Sequence, residues 1–572
     1  MILPQVKINK LCFENSLFES FNNNWYVKQL WPLVYILSDV NTKNAYIGET
    51  TDAHSRMIAH LKHSQKSKLS YVHLIASDKF NKSATLDIES NIIKYMSGDN
   101  LYQLLNANLG LANHSYYQKE VYWEIFKTIW SELLKEGIAQ NSIEYIDNSD
   151  LFKYSPYKSL TAEQDNSLYQ ILESLASGNI DATIVEGGAG TGKTILAIFL
   201  FKMLSADLDD FNFNEFGARE NKFIDLVSRI KSSFPDPKMA LVVPMSSFRT
   251  TLKKVFKNIK GLSANMVIGP AEVSKNKYDL LVIDESHRLR RRVNLGAYYG
   301  SFDKACVALG LDKHSCSELD WMTAQSTNSI FFYDEGQSIK PSDIKREEFD
   351  RLKLSMKTCV LKLKTQFRVK GGNSYVDYVD LILNCKSHGS TKIFKSDNYE
   401  FMLFDSLTDM ISQIRSRNQE FGLSRLIAGY SWEWKSRKDP NVFDIAIDDV
   451  HLKWNSTATD WINSKHSIDE VGCIHTTQGY DLNYSGIIFG KEISYCPIEK
   501  KIVIKEENYF DKNGKQSIKS SSELKPFIVN IYKTIMLRGI KGTYVYVCDP
   551  FLKEYFNSLI PKFEGSYSLK DL

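Results

Sequence analysis

Hydrophobic and polar positions alternate differently in successive parts of this chain. From about residue 31 to 110, short apolar runs (LVYILSD, NAYIGET) alternate with a helical pattern around LDIESNIIKYM. Residues 118 to 155 carry aromatics at helical spacing (YWEIFKTIWSELLKEG) and end in a polar run, IDNSD. Few Gly, Ser or Pro interrupt that stretch, so it predicts a packed connector instead of a loose linker. From about residue 160 the pattern changes again. β-Branched runs alternate with helical stretches: ATIVEG, MALVVPM, DLLVID and SIFFYDE, then TCVLKLK, SRLIAGY, GCIHTT, GIIFG and TYVYVCD. Runs with so little polar alternation suit strands covered on both faces of a parallel sheet. They fall into two groups either side of about residue 365, which predicts paired α/β domains. Polar, charged stretches at 206–238, 291–325 and 496–525 read as insertions.

Composition adds little to this picture. The 572 residues exceed one compact core, and 43% apolar with 24% charged residues is ordinary for a globular protein. A net charge of +3 advertises no global attraction to nucleic acid, so such a partner must be argued from local sites. The eight cysteines form no CxxC pair, which argues against a zinc ribbon or disulfide framework and predicts a reducing, cytoplasmic setting. No apolar stretch is long enough for a membrane span, and the opening MILPQVKINKLCFENS lacks the charged-then-apolar pattern of a signal peptide.

The densest chemistry lies at Gly187-Gly188-Ala189-Gly190-Thr191-Gly192-Lys193-Thr194. A strand-like run precedes it and the helix-like ILAIFLFKML follows, the context in which a phosphate-binding loop forms. Glycines let backbone N–H groups curl around phosphate oxygens, and the helix N-terminus adds a favourable dipole. Lys193 is expected at the β- and γ-phosphates and Thr194 at Mg²⁺. The apolar run Leu280–Ile283 ends in Asp284 and Glu285, one acid to hold Mg²⁺ and one to polarise the attacking water.

Further motifs follow in order. Gln164 stands in LTAEQ; Gln337 ends Asp334-Glu335-Gly336-Gln337; Arg368 ends Thr365-Gln366-Phe367-Arg368. Gln478 and Gly479 lie in His475-Thr476-Thr477-Gln478-Gly479-Tyr480-Asp481, and Arg538 stands in Leu537-Arg538-Gly539. The series resembles superfamily 1 helicases, in particular the bacterial branch related to the helicase domains of Schlafen proteins. That resemblance implies that Gln164 reads adenine, Gln337 senses the γ-phosphate, and Arg368 and Arg538 face it from a second domain. Gln478 would couple nucleotide to the nucleic-acid strand. Arginines that reach developing phosphoryl charge only in a closed cleft make closure depend on nucleotide state. Ser246, Ser247 and Arg249 stand where such proteins touch the strand backbone. Trp432 and Trp434 are open to two readings, base stacking or core. The run His287 to Arg292 is read as a solvated basic face, with phosphate contact as the alternative.

Upstream, Leu33-Val34-Tyr35 and Tyr46-Ile47-Gly48 fall on two strand-like runs separated by a polar turn. Arg56 and His60 follow one helical turn apart, then Glu89 and Asn106. The order resembles the GIY-YIG nucleases, although Leu33 and Val34 replace the Gly and Ile of the first triplet. The resemblance implies that Tyr35 and Tyr46 form the general base and its partner, the assignment between them staying open. Arg56 would stabilise the phosphate, His60 assist proton transfer, Glu89 bind Mg²⁺ or Mn²⁺, and Asn106 support the site. Lys62, Lys66 and Lys68 are further phosphate-contact candidates, whereas His54, His63, His73 and His114 show no metal-ligand spacing.

The expected architecture is therefore α/β. A small α+β GIY-YIG-like domain (1–117) and a helical connector (118–159) precede two RecA-like parallel-sheet domains (160–364 with insertions, and 365–572). The expected function is an ATP-dependent nuclease–helicase that moves on or unwinds DNA and cuts it. Such fusions resemble bacterial proteins that destroy phage DNA. Alternatives are an ATP-gated nucleic-acid switch without processive unwinding, host DNA repair, or action on RNA. An oligomer or accessory protein is compatible with each.

Overall fold

The computed structural model describes residues 6–106, 119–156, 160–206, 218–355, 357–387, 392–457 and 459–564. His114, and the ends of the expected domains near 117 and 159, lie outside the described residues. The chain divides into two compact units. One holds Met1–Ala176, Thr194–Pro235 and Leu252–Met266; the other holds Ser177–Lys193, Asp236–Thr251 and Val267–Leu572.

In the first unit, strands β1 (Val6–Cys12), β2 (Leu33–Asp39), β3 (Asn44–Thr50), β4 (Tyr71–Ser77) and β5 (Gln103–Leu104) form a five-stranded sheet. The order is β1-β4-β2-β3-β5, antiparallel except for the parallel pair β3/β5. The β2–β3 hairpin sets Tyr35 opposite Gly48 and Leu37 opposite Tyr46. Alternation then sends Leu33, Tyr35, Leu37 and Tyr46 to one core, with Phe13, Leu17, Phe21, Ala53 and Met57. Val34, Ile36, Ala45 and Ile47 go to the other, against Ile88, Ile92 and Tyr95 of the helix Lys82–Asp99. Tyr122, Phe126 and Trp130 of the helix Lys119–Lys135 join that second core, so the aromatic stretch after residue 118 packs.

The second unit contains two sheets. Strands β6 (Ala182–Gly187), β7 (Met239–Val242), β8 (Val267–Ile268), β9 (Tyr278–Ile283), β10 (Ser326–Tyr333) and β11 (Thr358–Leu363) are all parallel, in the order β11-β6-β10-β9-β7-β8. The remaining strands are β12 (Glu400–Leu403), β13 (Ser424–Ala428), β14 (Ile445–Ile447), β15 (Val450–Trp454), β16 (Glu470–Gly472), β17 (Leu482–Phe489), β18 (Ile493–Cys496), β19 (Lys501–Ile504) and β20 (Gly539–Val547). Seven form a sheet in the order β12-β20-β17-β13-β16-β15-β14, with only the edge pair β14/β15 antiparallel; β18 and β19 make a separate hairpin.

Three sequence expectations change here. GCIHTT is not a strand: β16 stops at Gly472, and a helical turn, Ile474–Thr477, follows. The Thr476 and Thr477 hydroxyls both donate to the Cys473 carbonyl, a local alternative to sheet pairing. The polar stretch 291–325 folds into the core, since its helices Tyr299–Leu309 and Glu318–Gln325 bury Phe302 and Trp321 with ring centroids 4.6 Å apart. The basic run is no solvated face. Arg288 pairs with Asp343 at 2.6 Å, Arg292 with Asp303 at 2.7 Å and Arg291 with Glu348 at 3.6 Å.

Candidate functional site

Because β6, β9 and β10 are parallel neighbours, their carboxyl ends share one edge, where open α/β sheets bind ligands. That edge carries Gly187, Asp284 and Asp334. Lys193, opening the helix Lys193–Ser205, turns onto its own loop and donates to the Gly187 and Gly188 carbonyls at 2.7 and 2.8 Å. Its Nζ also lies 3.7 Å from Asp334. Thr191 Oγ1 donates to the Gly188 carbonyl at 3.0 Å, and Thr194 is the second residue of the helix. Gly190 and Gly192 have φ of +78° and +85°. A cavity of about 270 Å³ opens beside Gly187, Gly188 and Asp334.

Asp284 is fully buried and accepts from Glu285 N–H at 3.0 Å. Glu285 has φ +50°, a left-handed conformation that costs a non-glycine residue about 1–3 kcal/mol and is typical of functional turns. Its Oε2 lies 3.1 Å from Nε2 of His287, which is entirely buried. Burial drives the His287 pKa down to about 3, the nearby Asp334 opposing, so the imidazole is neutral. Gln337 donates to Asp334 at 2.6 Å and accepts from Arg538 Nη2 at 3.1 Å. Arg538, 1% exposed just before β20, also donates to the Tyr480 carbonyl at 3.3 Å. One polar chain thus runs from Lys193 through Asp334 and Gln337 to Arg538, joining the first sheet to the second. Arg368 forms an ion pair with Asp481, and Gly479 lies against Phe248. Gln164, in the first unit, exchanges capping hydrogen bonds with Thr161 at 3.1 and 3.2 Å.

A second cavity of the same unit, about 580 Å³, gathers candidates that the sequence scatters. Ser246, Ser247 and Arg249 line it with Arg290, Tyr298 and Glu318, and with Trp434, His475, Thr476 and Gln478. Both tryptophans pack against the core of the second sheet, Trp432 edge-on to Trp454 at 6.3 Å, and Trp434 also lines the cavity. Gln478 is 1% exposed, and among the described residues its amide has no hydrogen-bond partner. Arg290 stacks over Tyr298 with its guanidinium 4.5 Å from the ring centroid. The carboxylate of buried Glu318 accepts from Arg290 N–H and from the Tyr298 hydroxyl, each at 2.8 Å. Desolvation pushes its pKa up to about 7 against the pull of Arg290. Sequence reading missed this trio, because nothing local marks Glu318 as the partner of a residue 28 positions away.

The first unit builds a third cluster. A Cβ on Gly48 would collide with the Tyr35 ring, so glycine lets that ring lie across the hairpin. Asp52 caps the helix Ala53–Leu61, accepting from Ser55 N–H at 3.0 Å. The helix presents Arg56 and His60 to the same hydroxyl. Arg56 Nε donates to Tyr35 Oη at 3.0 Å, and Tyr35 Oη lies 2.8 Å from His60 Nε2. Tyr46 meets the His60 ring edge-on at 5.1 Å, and Lys66 Nζ sits 3.8 Å above the Tyr46 ring. Burial raises the Tyr35 pKa well above its ordinary value and drives His60 to about 2, with Lys66 and Arg56 adding to the latter.

Glu89, on the helix Lys82–Asp99, has its pKa lifted to about 8 by desolvation and then by the Glu49 charge, opposed by Arg56 and Lys82. Glu49, absent from the sequence expectations although it directly follows the Tyr-Ile-Gly triplet, is paired with Lys82. Asn106 does not reach the tyrosines through any hydrogen bond described; it bonds both backbone groups of Ile47, accepting at 3.0 Å and donating at 2.8 Å. No group of three or more His, Cys, Asp or Glu among the described residues could enclose a metal. A divalent cation at Glu89 would accordingly keep most of its ligands as water or phosphate, a habit of Mg²⁺.

Comparison with known proteins locates the chain. The sequence profile of the Schlafen group 3, DNA/RNA helicase domain matches residues 181–549. An uncharacterized protein of Saccharomyces cerevisiae is 24% identical over 409 residues, spanning 65% of this chain and 82% of its own length. Among solved structures, a Bacteroides Pif1 helicase in complex with ADP-AlF3 and ssDNA is similar at 14% identity and a TM-score of 0.27, over 71% of this chain and 95% of its own. A Candida albicans Pif1 helicase is similar at 12% identity and a TM-score of 0.21, over 46% and 54%. The profile covers well over half of the chain, including the phosphate loop, Asp284, Gln337, Arg368, Gln478 and Arg538. By that match the chain belongs to the family of the Schlafen group 3 DNA/RNA helicase domain, and it is a helicase-like P-loop ATPase.

Proposed function

We propose that this protein is an ATP-dependent nuclease–helicase acting on DNA, with the tyrosine cluster as a GIY-YIG-type nuclease. The observation that carries the motor half is the polar chain from Lys193 to Arg538, in a unit whose large cavity is lined from both sheets. Charge that develops on the γ-phosphate alters Lys193, Asp334 and Gln337, and through Gln337 the arginine beside β20. By the resemblance to P-loop ATPases, Asp284 and Thr194 would each give an oxygen to Mg²⁺, and Mg²⁺ would neutralise phosphate charge. Glu285 would orient the attacking water, and neutral His287 leaves that carboxylate without a competing cation. The unpartnered Gln478 amide, with Arg249, Arg290 and Trp434, supports a single strand held in the cavity by phosphate contact and stacking.

In the nuclease, Arg56 Nε donates to Tyr35 Oη, which also lies within hydrogen-bonding distance of His60 Nε2, a neutral imidazole. We assign Tyr35 as the base, on the hydroxyl that Arg56 and His60 both meet. Tyr46, under Lys66, is the hydrogen-bonding partner, and Arg56 stabilises the phosphate. Glu89 would hold Mg²⁺ or Mn²⁺, and a bound cation would favour its ionised form and relieve phosphate charge. On this reading the nuclease would span 1–117, the connector 118–159, and the ATPase domains 160–364, with insertions, and 365–572. No helix among the described residues is long and apolar enough to cross a membrane. The eight free cysteines suit a cytoplasmic protein, and destruction of phage DNA is the role this architecture suits.

The test is cleavage of matched linear, nicked, circular and single-stranded DNA, and of RNA, with and without ATP and Mg²⁺. The expected result is DNA cleavage that fails in Glu89→Ala and loses its ATP response in Lys193→Ala. Wild-type protein that cuts none of these substrates, like both variants, overturns the nuclease reading. ATP consumption without strand displacement overturns unwinding.

A further inference from the structure

The residues just after β11 are bonded to the crown of the phosphate loop. Gln366 Nε2 donates to the Ala189 carbonyl, and Phe367 N–H donates to the Gly190 carbonyl at 3.0 Å. The other end of the Gln366 amide, Oε1, accepts from Arg368 N–H at 2.6 Å. Gln366 N–H in turn donates to Asn373 Oδ1 at 2.9 Å, which fixes the segment to the helix Gly372–Leu383. Gln366 is 7% exposed, and a side chain on Gly190 would strike its amide.

In a trans peptide the C=O and N–H point opposite ways. Holding the Ala189 and Gly190 carbonyls outward therefore aims the N–H groups of Gly190 and Thr191 to the other side, the sense that a backbone anion nest requires. The same side chain fixes the backbone of Arg368. Phosphate loop and arginine segment are thus joined through one amide.

We propose that Gln366 is a positioning residue for nucleotide hydrolysis: it preorganises the anion-binding peptides and ties them to the Arg368 segment. It touches no reacting atom, and its role rests on the ATPase reading. Its two ends are separable. Gln366→Glu keeps the acceptor for Arg368 N–H and loses the donor to Ala189. Gln366→Ala loses both.

The experiment uses the full chain, with a fluorescent N-methylanthraniloyl ADP for binding and phosphate release for turnover. Both variants are expected to bind ADP about three- to ten-fold more weakly, as for one lost hydrogen bond. Gln366→Glu is expected to raise KM with kcat nearly kept, whereas Gln366→Ala lowers kcat as well. Binding and turnover within two-fold of wild type in both variants overturn the proposal. So do losses that track a lowered melting temperature of the nucleotide-free protein, which mark a merely structural residue. If wild-type protein binds no ADP and matches Lys193→Ala, the nucleotide reading falls and the role of Gln366 with it. Wild-type binding with indifferent variants removes only the latter.

Discussion

At Gly48 a missing side chain decides where the Tyr35 ring lies, and so where Arg56 and His60 find their common partner. Gly48→Ala is expected to push the ring aside at a cost of about 1–3 kcal/mol, as for other overpacked cores. A urea unfolding curve reads the stability loss, and cleavage should fall with it. Tyr35→Phe keeps the packing and removes the hydroxyl, so cleavage is expected to drop about 10²- to 10⁴-fold with stability nearly unchanged. Equal activity in Tyr35→Phe and wild type would shift the base to Tyr46. Individual residues of these sites were legible in the sequence when their chemistry is contiguous: the phosphate loop, Asp284-Glu285, Tyr46-Ile47-Gly48. Those working through a distant partner were not. Glu318 and Gln366 gain meaning only from what the fold sets beside them.

At the scale of elements, apolar runs marked the central strands well, because a strand covered on both faces must be apolar throughout. The runs ATIVEG, DLLVID and SIFFYDE became β6, β9 and β10. Edge strands such as β12 and β14 carry too short a signal, and the polar stretch 291–325 hid two helices whose few large apolar residues do the packing. Glu318, at the start of one of these helices, gives the stretch a pH response. Its folded pKa of about 7 lies above the ordinary 4.5, so the fold favours the protonated form. That contribution is full below the ordinary value and is lost as pH rises through about 7. Glu318→Gln, uncharged throughout, is expected to flatten the fall of the urea midpoint between about pH 5 and pH 8. An unchanged slope would show that Glu318 ionises freely in the folded protein.

For the whole molecule, the two chemistries are expected to separate. Lys193→Ala should abolish ATP turnover and the ATP stimulation of cutting while basal cutting persists, and Glu89→Ala should abolish cutting while ATP turnover persists. Phosphate release and gel-resolved cleavage, run on the same preparations, check both; loss of the two activities together in either variant would make the site one and not two. A different consequence follows from Asn106. Its amide meets the N–H and C=O of Ile47 just past the two-residue strand β5, continuing the pairing of β3 where the backbone ladder stops. A side chain there does the work of another strand, and it denies Ile47 to any other chain. Asn106→Ala would free those two groups on a strand that carries the β-formers Tyr46, Ile47 and Thr50, a condition under which proteins associate edge to edge. Its first symptom should be concentration-dependent aggregation, visible by light scattering at protein levels where wild type stays dispersed, before any measured loss of catalysis.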